Sequence, residues 1–94
     1  MTRDELVEAL AEREHASWSR WMDYLFGKCA RRDGGYCIPP LIAHQWERQC
    51  DTPYAHLSER ERQADRDEVA HILPLIEQYV ESRIAAFIDS MPGL

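Results

Sequence analysis

The sequence predicts an all-α domain of two long antiparallel helices, a short helix crossing one end, and a kink at Pro74 in the last helix. Three observations predict it. Apolar residues recur at steps of three and four over most of the chain. Two capping boxes, Thr2 with Glu5 and Ser58 with Glu61, mark where long helices begin. No alternating apolar–polar run exceeds four residues, and neither a repeat nor a linker divides the chain, so residues 1–94 read as one domain.

The first helix is expected over about residues 3–31, with fraying near Gly27. Asp4 and Glu5 sit in its first turn, where the helix dipole favours anions. Leu6, Val7, Leu10, Trp18, Trp21, Met22, Leu25, Phe26 and Cys29 then fall on one broad face. Arg31 to Gly35 break the pattern, and Pro39–Pro40 close the irregular stretch. Pro40 suits a first helical position, so Leu41 to Cys50 form the short second helix. Asp51, Thr52 and Pro53 end it, and Tyr54 to Leu57 lie in a turn. From Ser58 a helical stripe runs through Val69, Ile72, Leu73, Ile76, Val80, Ile84 and Phe87, until Ser90, Met91, Pro92 and Gly93 stop it. Pro74 removes one backbone donor inside that stripe, which predicts a kink or break. Tyr79 to Phe87 have the fewest partners within the chain. They are the expected surface of a homo-oligomer through the C-terminal helix.

Composition narrows the function. The chain has 94 residues, 17 acidic against 11 basic, and a formal net charge of −6. Such an acidic chain is a poor binder of DNA or RNA backbone. No apolar run approaches the roughly 20 residues of a membrane span, and no basic-then-apolar segment opens the chain as a secretion signal. A cytoplasmic protein with free thiols at Cys29, Cys37 and Cys50 is expected. These cysteines and His44 are separated by eight, seven and six residues, with no Cys-x-x-Cys pair, so no metal is expected. Cys29 and Cys50 read as small buried apolar residues and Cys37 as a loop thiol. There is no nucleophile elbow or phosphate loop, and the histidines are scattered. A non-catalytic protein without cofactor follows.

The main anomaly is Glu14. It stands on the apolar face of the first helix among Leu10, Trp18 and Trp21, with His15 at the edge. A carboxylate there must pair, stay wet or shift its pKa upward. It reads either as the floor of a ligand pocket walled by indoles or as the partner of one of the ten arginines. Near the start of the last helix, Glu61, Asp65 and Glu68 share one line with Ile72, with Arg60, Arg62 and Arg66 between them. This is either a solvated face of i,i+4 pairs or a way of turning Asp65 or Glu68 toward the tryptophans beside Glu14. Trp46, Arg48, Tyr54 and Leu57 read as a lock between helices, or as a stacking platform on which Arg48 or Arg66 takes a phosphate.

Glu14-His15-x-x-Trp18 on a first helix, followed by Thr52-Pro53-Tyr54-x-x-Leu57-Ser58-x-x-Glu61-x-x-x-Asp65-Arg66 opening a last helix, resembles the ryanodine-receptor repeat domain. It is closer still to small bacterial and phage proteins related to that domain. The likeness covers roughly residues 6–76. The family's Gly-Trp-x-Tyr-Gly segment and its Lys-x-His-Pro have no clear counterpart; Gly35-Tyr36 and Pro39–Pro40 stand there instead. The resemblance implies a compact helical module associated with adenine-nucleotide binding and with prokaryotic defence systems that use nucleotide signals.

The expected function is therefore capture of a small planar, phosphate-bearing ligand by a phage-type sponge or sensor. Its expected site comprises Glu14, His15, Trp18, Trp21, Trp46, Arg48, Tyr54, Asp65 and Arg66. The alternative is an acidic protein–protein module, such as a phage inhibitor of a host defence complex, whose acids cap a basic groove.

Overall fold

The computed structural model describes residues 1–93. The chain forms helix α1 (Arg3–Lys28), strands β1 (Ala30–Arg32) and β2 (Gly35–Cys37), helix α2 (Pro40–Cys50), a 3-10 turn (Tyr54–His56) and helix α3 (Glu59–Asp89). It is 76% helical, so the all-α expectation holds at the coarse level, with a small sheet added.

Both capping boxes form. The Thr2 hydroxyl accepts from the Glu5 N–H at 3.1 Å while the Glu5 carboxylate accepts from the Thr2 N–H. Ser58 and Glu61 do the same at the head of α3. Each box satisfies two N–H groups that a helix start leaves without partners.

The first correction falls at the end of α1. The helix stops at Lys28 instead of residue 31, because Cys29 is extended (φ −83°, ψ 152°) and leads into a two-stranded antiparallel hairpin. Its register pairs Ala30 with Cys37, Arg31 with Tyr36 and Arg32 with Gly35. The turn is Asp33-Gly34, at φ 49° and φ 77°. Positive φ at both positions is the geometry that matches strand twist, and Asp-Gly is the residue pair that tolerates it. The hairpin folds back on α1: the Tyr36 ring lies 4.7 Å from Phe26, and the Arg31 guanidinium lies 5.3 Å from the Tyr36 centroid.

Helix α2 begins at Pro40, one residue before the expected Leu41, and Leu41 itself is 84% exposed. Helix α3 is one continuous element with Pro74 inside it, so the chain does not break there.

The two long helices run antiparallel. Ser17 and Arg20 of α1 reach Glu68 of α3, whereas Met1 at the other end accepts from Ser82. The facing side of α3 repeats at alternate steps of four and three: Glu61, Asp65, Glu68, Ile72, Leu75, Tyr79 and Ser82, all half-buried. Helix α2 lies against the other end of the pair. Trp46 sits 6.3 Å from the Tyr24 ring, and Arg48 bonds Glu61 at 2.7 Å.

The shape is a rod of 69 × 33 × 16 Å with a radius of gyration of 19.9 Å. A compact chain of this length has about 12 Å. Among the described residues only Leu57 is buried, at 8% exposure, beneath the junction of the three helices.

Candidate functional site

Two concavities lie where α2 meets the ends of α1 and α3. One is a cleft of about 370 Å³ lined by Trp21, Met22, Tyr24, Leu25, Trp46, Gln49, Cys50, Leu57 and Asp65. A wider groove of about 630 Å³ shares Trp21, Tyr24, Trp46 and Gln49 with it, and adds Arg20, Lys28, Gln45, Arg60, Glu61, Ala64, Asp67 and Glu68. Three aromatic side chains therefore border both spaces. Trp21 meets Tyr24 edge-on at 6.1 Å, and Tyr24 carries the Lys28 ammonium 5.5 Å from its centroid. Such a distance is within reach of a cation–π attraction.

The polar groups around this junction divide into paired and free. Glu68 accepts from Arg20 at 2.8 Å and from the Ser17 hydroxyl at 2.9 Å. The Arg20 hydrogen bond holds the Glu68 carboxyl below its ordinary value, partial burial opposes that shift, and Ser17 adds to it. Glu61 is likewise lowered, first by Arg48 and then by the Ser58 backbone and hydroxyl. Glu59 is lowered by Arg62 and Arg66. Arg66 also donates to the Tyr54 hydroxyl at 3.2 Å. Among the described residues, Lys28 and Arg60 line the wide groove with no ion pair.

The nine expected site residues separate into three groups. Trp21, Trp46 and Asp65 meet in the narrow cleft. Arg48, Tyr54 and Arg66 are tied into the start of α3, Arg48 by Glu61 and the other two by each other and by Glu59. Glu14, His15 and Trp18 line neither cleft. They lie further along α1, exposed, with His15 stacked on Trp18 at 6.0 Å. Glu14 makes no ion pair among the described residues. The expected convergence of Glu14 and Trp18 with Tyr54 is therefore not what these two clefts contain. The carboxylate drawn toward α1 is Glu68, and its partners are Ser17 and Arg20.

The motif Pro53-Tyr54-x-x-Leu57-Ser58-x-x-Glu61 has a local physical role. Leu57 fills the junction, Ser58 and Glu61 cap α3, and the same Glu61 holds α2 through Arg48. Tyr24, Lys28, Gln49 and Arg60 were absent from the expected site. The spacing Trp21-Tyr24-Lys28 could have found the first two, since steps of three and four share a helix side.

Cys29 is half-buried, but Cys50 is exposed and Cys37 lies in β2, which corrects the expected burial of Cys50. No three His, Cys, Asp or Glu side chains cluster closely enough to hold a metal among the described residues. No helix among them is long and apolar enough to cross a membrane. No family model matches the chain, and neither a curated protein nor a solved structure matches it.

Proposed function

We propose that the protein is a non-catalytic binding module whose α1–α2–α3 junction takes a small planar, phosphate-bearing ligand. One observation carries the reading: Trp21, Tyr24 and Trp46 border a cleft and a groove that share them, and Lys28 and Arg60 line that groove unpaired. Aromatic stacking contributes about 1–3 kcal/mol per base, and two free cations supply charge-assisted donors for a phosphate. Gln45 and Gln49 add amide donors and acceptors for a base edge. The acids beside them weaken anion binding less than the net charge of −6 implies, because Glu61 and Glu68 are neutralised by Arg48 and Arg20. This shifts the expected site from Glu14 and Trp18 toward the junction, with Trp21, Trp46 and Asp65 retained. In this reading the chain acts in the cytoplasm as a sponge or sensor of the kind its resemblance to ryanodine-receptor repeat proteins implies. A bend of α3 at Pro74, where the Ala70 carbonyl lacks its helical donor, belongs to the same reading.

Titration calorimetry with mono-, di- and cyclic nucleotides tests it. Heat with at least one nucleotide, lost in Trp46→Ala and weakened in Lys28→Ala, is expected. No heat with any of them removes the ligand reading. That result favours the second one, an acidic protein–protein module, which the rod shape and its exposed apolar residues support.

A further inference from the structure

The helical hairpin carries an apolar face that the described chain leaves largely uncovered. On α3, one residue beyond the inward-facing Glu68, Ile72, Leu75 and Tyr79, stand Val69, Leu73, Ile76 and Val80, and the stripe continues through Ile84 and Phe87, all exposed and at steps of three and four. On α1, the positions one beyond the half-buried Leu6 and Ser17, and one beyond the exposed Arg20 that reaches Glu68, are Val7, Trp18 and Trp21, also exposed. Successive residues turn about 100° in the same sense along each chain. In an antiparallel pair, a +1 step from the contact line therefore carries both helices to the same side. The two stripes form one surface. Helix α2 covers only its lower end, around Leu25 and Met22.

The surface in excess fits a second copy. The chain exposes 7816 Å², whereas a compact monomer of 11.0 kDa exposes about 5,600 Å². The surplus of about 2,200 Å² is well above the roughly 800 Å² per partner that a standard stable interface needs. We infer that two copies pack these α1/α3 faces together as an isologous, antiparallel four-helix bundle.

The interhelical contacts and the apolar stripe set a register. The Ser17–Glu68 contact sets Trp18 level with Asp67, and Glu14 level with His71. A twofold axis midway between Ile76 and Val80 then sets each Val69 opposite Phe87 of the second copy. It brings Trp18 to the level of Asp89 of the second copy, and Glu14 to the level of Ala85, two residues or about 3 Å along the axis from Arg83. Glu14 is the acid interrupting the apolar stripe of α1. Arg83 is the base bordering the patch of Tyr79, Val80, Ile84 and Phe87. Each lacks an ion pair within its own chain among the described residues. In this register Glu14 and Arg83 stand within one helical turn of each other twice across the axis, which gives a physical reason for a carboxylate at position 14.

Light scattering on the whole chain and a charge-swap series test the inference. The wild type is expected at about twice 11.0 kDa in the micromolar range. A monomer or a mass above a dimer at high micromolar concentration overturns it, the former leaving the face to a foreign helix. Glu14→Arg and Arg83→Glu, which place like charges opposite each other, are each expected to weaken the dimer at least about tenfold. The double variant restores it to near the wild-type affinity. Single variants that dimerise as well as wild type, or a double variant no better than the singles, overturn the register.

Discussion

Leu57→Ala tests whether the junction is organised around a single anchor. Leu57 is the buried residue of the described chain and touches the space between all three helices. Truncation to alanine in a closed core costs about 2–5 kcal/mol, the upper part of that range reflecting a cavity that stays empty. Leu57 adjoins an open cleft of about 370 Å³, so water enters the space it leaves. Three carbons at about 0.8 kcal/mol each then give roughly 2.5 kcal/mol with little cavity contribution. With a urea slope of about 1–1.5 kcal/mol per molar for a chain of this size, the midpoint falls by about 2 M. The assay is urea unfolding by far-UV circular dichroism at one protein concentration, because assembly moves the midpoint as well. Leu41→Ala is the control: at 84% exposure it moves the midpoint by less than about 0.3 M. A Leu57→Ala loss below about 0.5 kcal/mol refutes the reasoning, since the junction would then rest on Trp46 and the Arg48–Glu61 bond instead.

Three further outcomes follow from the same contacts. Glu68 has a lowered folded-state pKa, so its contribution is present above the ordinary value of 4.5 and is lost as pH falls through the lower folded value; Glu68→Gln is less stable at neutral pH and declines less steeply on acidification, and parallel acid titrations of stability refute this. Pro74→Ala restores a donor to the Ala70 carbonyl in an exposed part of α3 and raises helix stability by about 1–3 kcal/mol, so a lower melting temperature counts against it. Gly34→Val places a branched residue at φ 77° and speeds amide exchange across residues 30–37, by an opening cost of about 1–2 kcal/mol, while exchange in α1 and α3 stays unchanged; unaltered hairpin protection refutes the turn assignment.

The parts of the fold legible in the sequence were those whose causes are local. Thr2 with Glu5 and Ser58 with Glu61 announce helix starts because a cap needs only residues three apart. Pro40 marks its helix start to within one residue for the same reason. The hairpin was missed although Asp33-Gly34 is a strong two-residue turn signal. Its strands are three residues each and entirely exposed, so no apolar alternation accompanies the turn. For the candidate site, helix periodicity put Trp21 on the stripe that borders the cleft beside α2, and the Leu57-Ser58 motif lies at the junction of the helices. Periodicity did not distinguish the two sides of the α1 stripe. Trp18 and Trp21 share a stripe, but α2 reaches only the level of Trp21, and the end of α2 is set by long-range contacts such as Arg48 with Glu61. Glu14 was recognised as anomalous, yet the partner expected for it within the chain is absent among the described residues, and no spacing rule points to a residue in another copy.

The same distribution of burial governs how folding and assembly are linked. Fixing a residue's backbone costs about 1–2 kcal/mol, and most helical stability in proteins comes from packing an apolar face against a neighbour. Helices α1 and α3 have 26 and 31 residues, yet one described residue is buried and the apolar side chains from Val69 to Phe87 remain largely open. Caps and i,i+4 pairs each contribute well under 2 kcal/mol, too little to hold both helices against that cost. In the dimer inferred above, covering the α1/α3 face supplies the missing stabilisation, and the folded hairpin and the dimer are then expected to form together instead of in sequence. Dilution through the dimer dissociation constant then lowers helicity in step with mass, and the melting temperature rises with concentration. The lower half of α3, closed by Leu57 and α2, is expected to retain protection longer than residues 75–89, which have only α1 beside them. Helicity that stays constant while the mass halves would show instead that the monomer is stable by itself, and that the burial of Ile72, Leu75 and Tyr79 against α1 is sufficient.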